Sequence, residues 1–178
     1  RAWYVSPDLE KELVIDIALS TDPATRYSVN CLLGMSPEAS EVLPVRKALV
    51  AGQWFRKDAR NVALLPTAVA EALGITADRL GSASVNVFGT DFRVIGLVDS
   101  GALRQLTDLD GEPLMPVNYS MLRPETIKDI QQAAQERSQL GAGGAESLLQ
   151  EYKHYSPEKL IILPYDRIVV ALVAAVLI

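Results

Sequence analysis

The sequence has few of the residues that build redox and metal centres. Among its 178 residues there is one cysteine, Cys31, and one histidine, His154. A single cysteine excludes an internal disulfide, and a single histidine excludes a zinc cluster of ordinary composition. We predict no metal and no cofactor, because a chain of this length can bury an adequate core without them.

Basic stretches and long apolar runs are also missing. The formal net charge is −5 and no block of lysine or arginine occurs, which excludes a nucleic-acid partner. The longest apolar stretch, Ile168 to Ile178, has eleven residues, whereas crossing a bilayer takes about 20. The chain begins at Arg1 without a methionine or a signal sequence, so we expect it to be a piece of a longer protein.

Motifs that carry catalysis are missing as well. The sequence has no G-x-S-x-G elbow, no Walker lysine loop, no dinucleotide fingerprint and no H-E-x-x-H. The segment Asp108 to Glu112 places carboxylates before a glycine but lacks the twelve-residue calcium loop, so an acidic turn is predicted. His154 is expected at a solvated helix end. We therefore predict no catalytic, cofactor-binding or metal-binding residues, and an enzyme is disfavoured.

Alternating apolar residues predict two half-buried strands near the start, Leu13–Leu19 and Tyr27–Leu33, joined by a loop over 20–26. Cys31 falls on the apolar face, which favours a packed core thiol over a nucleophile. The adjacent Trp54 and Phe55 favour core packing, with an exposed partner anchor as the alternative. The charged run from Arg56 to Arg60 is expected to be a solvated turn.

The central stretch, Gly52 to Asp99, is a folding unit. An apolar segment, Val62–Leu65, precedes Pro66. A helix follows, with Thr67 as its cap and Gly74 just past its end. After a turn at Gly81, the runs Ser84–Phe88 and Phe92–Val98 predict a hairpin with the three-residue connection Gly89-Thr90-Asp91.

The last third of the chain changes in character. Polar helices are predicted over Glu125 to Gln139 and Ala145 to Lys153, separated by a glycine-rich breaker, and they either cap the domain or dock elsewhere. Leu160–Leu163 predicts a buried strand, after which Tyr165 can open a helix. The apolar end, Val169–Ile178, fits either a buried strand or the start of a membrane helix.

The order of these pieces resembles the extracytoplasmic core domain of MacB/FtsX-type ABC transporter permeases, a group that includes macrolide exporters and lipoprotein-release permeases. The resemblance spans roughly residues 33 to 118. The segments that carry it are Leu33-Gly34-Met35-Ser36-Pro37, Gly52-Gln53-Trp54-Phe55, Arg56 to Arg60, Val62–Leu65, Ala70 to Gly74, Gly81, and Phe92-Arg93-Val94-Ile95-Gly96.

The resemblance implies an α+β fold with a mixed α/β base lobe and an inserted, mostly β upper lobe. The base would take residues 1–33 and 155–178, the upper lobe 34–119, and a helical insertion 120–154. It implies a non-enzymatic domain on the periplasmic side of the cell membrane. Such a domain couples ATP hydrolysis by a separate ATPase subunit to export, lipoprotein release or activation of a cell-wall hydrolase.

The implied partners are that ATPase, through transmembrane parts outside this sequence, and a periplasmic adaptor, lipoprotein or hydrolase, with a dimer in the full-length transporter. Fold alone does not fix function. The alternatives are a stand-alone extracytoplasmic binding or hydrolase domain, which would need a concave polar pocket, and a structural dimerisation module, which would need an apolar patch on the helical insertion.

Overall fold

A computed structural model describes residues 2–4, 13–118, 128, 132 and 154–168 of the chain. It confirms a mixed fold of strands and short helices. The strands are β1 Ala2–Tyr4, β2 Ile15–Leu19, β3 Asp22–Val29, β4 Cys31–Met35, β5 Leu49–Gly52, β6 Val62–Pro66, β7 Ser84–Val87, β8 Thr90–Val98 and β9 Leu160–Pro164. The α-helices are α1 Ala39–Val42, α2 Thr67–Ala72 and α3 Ser100–Arg104, and short 3-10 helices cover Pro44–Ala48, Ala77–Arg79 and Pro157–Lys159.

All nine strands belong to one sheet, in the order β1-β4-β9-β6-β8-β7-β2-β3, with β5 paired to β8. The last strand in this order, β3, is separated from the second, β4, by Asn30 alone. The sheet must therefore curl, because Asn30 joins the edge strand β3 to β4, the strand next to the opposite edge. This buried residue fixes the bend: its N–H donates to the Lys159 carbonyl at 2.8 Å and its side-chain amide to the Leu13 carbonyl at 2.7 Å.

Three strands in the middle of the sheet are buried along their whole length: β4, β6 and β9. β4 pairs in parallel with β9, and β6 in parallel with β8. Strands covered on both faces read as continuous apolar runs, which is what these segments are. The predicted buried strand at Leu160–Leu163 is thereby confirmed.

Alternating side chains of these strands build two cores, one on each face of the sheet. Leu65 and Ile161 belong to the first core, and their chain neighbours Leu64 and Ile162 belong to the second, as the two-residue period of a strand requires. Helix α2 packs on the first core. Helix α3 and the 3-10 helix Pro44–Ala48 pack on the second.

The loop predicted over residues 20–26 is wrong in extent. Only Ser20 and Thr21 form the turn, and Asp22 begins β3. The first half of β3 lies at the sheet edge with exposed side chains, so turn-type residues there pair through their backbone without entering the core. The predicted strand Tyr27–Leu33 is broken at Asn30, because its two halves belong to opposite ends of the sheet.

In the central unit, the helix after Pro66, the glycine at its end and the hairpin are present, but two details differ from the prediction. Thr67 is the first residue of α2 rather than its cap. The N-cap position is taken by Pro66, whose side chain makes no capping hydrogen bond. The hairpin connection has two residues, Phe88 and Gly89, with φ of 49° and 78°. Positive φ at both positions defines the turn whose twist matches that of paired strands.

The end of the chain is described in part. Residues 165–168 are helical, as predicted after Pro164. The predicted helices over 125–139 and 145–153 lie outside the described residues, apart from Lys128 and Gln132, which are helical, and so does 169–178. In the described ranges no helix is long and apolar enough to cross a bilayer. The division into lobes 1–33 with 155–178, 34–119 and 120–154 stays a prediction.

Candidate functional site

The lone cysteine is a core residue, as predicted. Cys31 begins β4 and is fully buried in the second core. Burial disfavours the charged thiolate and raises the pKa of the Cys31 thiol far above its usual range. A thiol that stays protonated is not a nucleophile.

The lone histidine is half-buried and pairs with a distant segment of the chain. His154 lies in an isolated antiparallel bridge with Val117, and the next residue, Tyr155, donates its backbone N–H to the Pro116 carbonyl at 2.8 Å. Residues 145–153, over which the preceding helix is predicted, lie outside the described residues, so the helix end at His154 stays a prediction. The bridge joins segments 37 positions apart (154 minus 117), which leaves no local sequence signal.

The adjacent aromatic residues pack in the second core and do not form an exposed anchor. Trp54 and Phe55 are 6% and 4% exposed, and their ring centroids lie 5.3 Å apart at 53°. This tilted arrangement is one that aromatic pairs favour.

Two glycines of the family-like pattern, one just before the aromatic pair and one in β8, lie opposite each other in the sheet. Gly52, in β5, pairs with Gly96, in β8. A Cβ on Gly52 would lie 2.1 Å from the Ile95 carbonyl oxygen, and one on Gly96 would lie 2.8 Å from Leu64 Cδ2. Gly52 therefore requires glycine, because a Cβ there would overlap backbone atoms and φ is 78°. At Gly96 the closest atom belongs to a side chain, which can shift.

The charged run after the aromatic residues is the solvated turn that was predicted. Arg56, Lys57 and Arg60 have side chains 74%, 80% and 69% exposed. Their ion pairs, Arg56–Asp58 at 3.2 Å, Lys57–Glu38 at 3.5 Å and Arg60–Asp166 at 3.2 Å, are exposed and contribute little to stability.

The acidic segment is a turn, as predicted, and it is held by its own backbone. The Asp108 carboxylate accepts from the N–H groups of Asp110 and Glu112 at 3.0 and 3.1 Å. The Asp108 N–H donates to the Glu112 carbonyl at 2.8 Å, and Gly111 takes φ of 79°. Within the described ranges no group of three or more histidine, cysteine or acidic residues is arranged to hold a metal ion.

The largest of three surface depressions that stand out is polar. It measures about 390 Å³ and lies on the exposed face of β2, β3, β7 and β8. Its polar groups bond to one another: the Asp91 carboxylate accepts from Ser20 Oγ at 2.9 Å and from Asn86 Nδ2 at 2.7 Å, and Asp16 accepts from Ser28 Oγ at 2.7 Å. Arg26, which also lines the depression, donates through Nε to the Pro23 carbonyl at 2.7 Å.

A second depression, which we call the acidic groove, combines exposed aliphatic side chains with carboxylates. It measures about 300 Å³ and lies between α1 and the acidic turn. Val42 and Leu109 are 61% and 77% exposed there. The residues that line the acidic groove are Ser36, Glu38, Ala39, Val42, Leu43, Asp108, Leu109 and Asp110.

The acidic groove continues into a third depression of about 280 Å³ that shares Ser36 and Glu38 with it. Hydrogen bonds from the Glu38 backbone N–H and the Ser36 hydroxyl, together with Lys57, lower the pKa of the Glu38 carboxyl. Glu38 therefore remains negatively charged well below neutral pH.

Sequence reasoning found no functional role for Val42 or Leu109. The sequence signal that could have pointed to Leu109 is its position between Asp108 and Asp110 in a turn with Gly111, because an apolar side chain in such a turn remains exposed. Exposed apolar side chains grouped together commonly mark interaction sites.

No protein-family model matches this chain, and no curated protein is significantly similar to it. Among solved structures, the chain is similar to the extracellular domain of the noncanonic ABC-type transporter YknZ from Gram-positive bacteria. The identity is 15% and the TM-score 0.35, over 80% of this chain and 87% of that chain.

Proposed function

We propose that this chain is the extracytoplasmic domain of an ABC transporter permease, and that it couples ATP hydrolysis in the cytoplasm to work outside the membrane through protein–protein contacts. The observation that supports it is the family-like order of elements, with Gly52 and Gly96 paired where β5 meets β8. The pattern thus corresponds to one packed unit rather than to scattered similarities.

The physical character of the domain suits a mechanical role. A single sheet with a core on each face is stiff, because close-packed interiors transmit displacement rather than absorb it. In this proposal the base lobe of residues 1–33 and 155–178 lies next to the membrane, and the inserted lobe of residues 34–119 contacts partners.

The partners in this proposal are an ABC ATPase, reached through transmembrane parts, and an adaptor, lipoprotein or hydrolase outside the membrane. The full-length transporter is a dimer in the cell membrane, and the domain itself performs no chemistry. A stand-alone hydrolase has less support, because the Asp16 and Asp91 carboxylates of the polar depression already accept hydrogen bonds from neighbouring side chains.

Cysteine labelling of the full-length protein in intact cells tests the location. The variant Val50→Cys places a thiol at a position 57% exposed, while the native Cys31 is buried and gives no background. With any cysteines outside this domain replaced, we expect a membrane-impermeant maleimide to label the variant in intact cells and to leave the protein without the Val50→Cys change unlabelled. Labelling only after permeabilisation would place the domain in the cytoplasm and end the proposal.

A further inference from the structure

We propose that the acidic groove binds a basic, aliphatic segment of a partner protein. This inference rests on the proposed function, because it assigns the surface through which the domain makes its contact. Three properties of the groove carry it: the exposed aliphatic side chains, the rigid turn that presents one of them, and the sign of the surrounding charge.

Two aliphatic side chains of the groove are exposed to solvent. Val42 lies on α1 and Leu109 at the tip of the acidic turn, and they are 61% and 77% exposed. The partly buried Leu43 and Ala39 beside them pack against the second core. A partner that covers Val42 and Leu109 would gain the free energy of burying apolar surface that folding leaves in water.

The turn that carries Leu109 is ordered before any partner arrives. The Asp108 carboxylate binds the N–H groups on the far side of Leu109, at Asp110 and Glu112, and Asp108 and Glu112 also pair through their backbones. A side chain on a rigid turn loses less conformational entropy on binding than one on a loose loop. Leu109 is therefore suited to hold a bound partner segment in place.

The charge around the groove selects the partner. The described residues that line it carry three carboxylates, those of Glu38, Asp108 and Asp110, and Lys57 in the adjoining depression pairs with Glu38 at 3.5 Å. One lysine offsets one of the three carboxylates, so the groove keeps an excess of negative charge. Exposed Glu41 and Glu112 are adjacent in the sequence to Val42 and to the turn. Lysine or arginine beside an aliphatic side chain complements this arrangement, and charge complementarity of this kind guides encounter and excludes acidic partners.

Other occupants fit the groove less well. A second copy would bring the same carboxylates against themselves, in a chain whose net charge is −5. Nucleic acid and anionic lipid carry phosphates that these carboxylates repel. A volume of about 300 Å³ takes a few side chains of a peptide segment.

The test titrates the full chain with two synthetic peptides that carry leucine at helical spacing. One has lysine at the remaining positions and its twin has glutamate there. Fluorescence anisotropy should show binding of the lysine peptide at low salt and at least about tenfold weaker binding of its twin. Leu109→Ser should weaken binding of the lysine peptide about tenfold, as loss of an anchor does.

Two further variants complete the design. Asp110→Asn should weaken binding of the lysine peptide about threefold and reduce its salt dependence. Val50→Ser is the matched control, because Val50 is 57% exposed but does not line the groove, and binding should not change. Both substituted apolar side chains are exposed, so circular dichroism should show unchanged folding.

Equal binding of the two peptides, or equal binding by Leu109→Ser and Val50→Ser, would overturn the inference. A dimer in sedimentation that Leu109→Ser converts to a monomer would assign the groove to a second copy and also overturn it. None of these results depends on the location of the domain. The maleimide labelling described above tests that separately, so failure of the groove and failure of the proposed function are distinguishable.

Discussion

At the scale of single residues, the chain contains glycines that packing requires and glycines that only the backbone angle requires. Gly52 meets both demands, with φ of 78° and the Ile95 carbonyl oxygen 2.1 Å from where a Cβ would lie. Gly111 has φ of 79° but nothing within 4 Å of its Cβ position. Comparing the two separates backbone strain from steric overlap.

We predict that Gly52→Ala lowers the free energy of unfolding by about 3 kcal/mol or more, because strain and overlap with backbone atoms add. Gly111→Ala should cost about 1 kcal/mol, from strain alone. Urea unfolding of both variants measures the difference. Equal losses would mean that the contact between β5 and β8 relaxes freely.

The buried thiol gives the protein a pH dependence of known sign. The pKa of Cys31 is raised from 9.0, so the thiol stays protonated in the folded state while the unfolded chain releases its proton above about pH 9. Because the pKa of the thiol is higher in the folded state, its contribution to the free energy of unfolding is present in full below the unfolded-state pKa. This contribution is lost as the pH rises toward the folded-state pKa.

We predict that, above pH 9, the free energy of unfolding falls more steeply with pH in the unaltered protein than in Cys31→Ala. The difference between the two slopes should reach up to about 1.4 kcal/mol per pH unit. Tyrosine and lysine titrate in both proteins and cancel in the comparison. Urea unfolding between pH 8 and 10.5 provides the measurement. Parallel pH profiles would show that the thiol ionises within the fold.

At the scale of elements, helix α2 begins through a contact from a distant part of the chain. Ser100 Oγ accepts the Ala68 N–H at 3.3 Å and lies 3.2 Å from Thr67 Oγ1, while the Ser100 N–H donates to Thr67 Oγ1 at 3.2 Å. The start of α2 and the start of α3 are thus bonded to each other, and the same two residues serve both helices.

Because the two residues share one network, their substitutions should not be additive. Thr67→Ala and Ser100→Ala should each lower the free energy of unfolding by about 1 kcal/mol. The double variant should lose less than the sum by at least about 0.5 kcal/mol. Thermal or urea unfolding of the four proteins checks this, and simple additivity would argue against the shared network.

The same contact shows how far the sequence predicts the fold. The alternation of apolar residues and the positions of proline and glycine predict most of the described strands, the helix after Pro66 and the glycine turns, because these features depend on neighbouring residues. The cap from Ser100, the bend at Asn30 and the bridge at His154 depend on contacts distant in the sequence. The hairpin connection was misplaced because Phe88, an unusual residue at positive φ, occupies it.

The candidate site was less predictable than the fold. The acidic turn was identified from its composition, but its role in presenting Leu109 depends on the hydrogen bonds of Asp108. The groove also needs α1, which the sequence suggests only through Ser36, Pro37 and Glu38. Two segments 66 positions apart, from Val42 to Asp108, form one surface, and their separate patterns do not reveal it.

At the scale of the whole molecule, the fold combines a closely packed interior with exposed depressions at its periphery. The fully buried strands β4, β6 and β9 join the early, central and late parts of the chain into one sheet. A domain built this way can move as a unit, while the acidic groove offers a place for a partner to bind.

Hydrogen–deuterium exchange tests the central claim most directly, with the full-length protein in lipid and its ATPase present. We predict that ATP changes exchange at surface segments such as the acidic turn, while amides of β4, β6 and β9 stay equally protected, as in a rigid body that moves. Identical exchange throughout the domain with and without ATP would contradict mechanical coupling. ATP-dependent opening of β4, β6 and β9 would contradict a rigid transmitting domain.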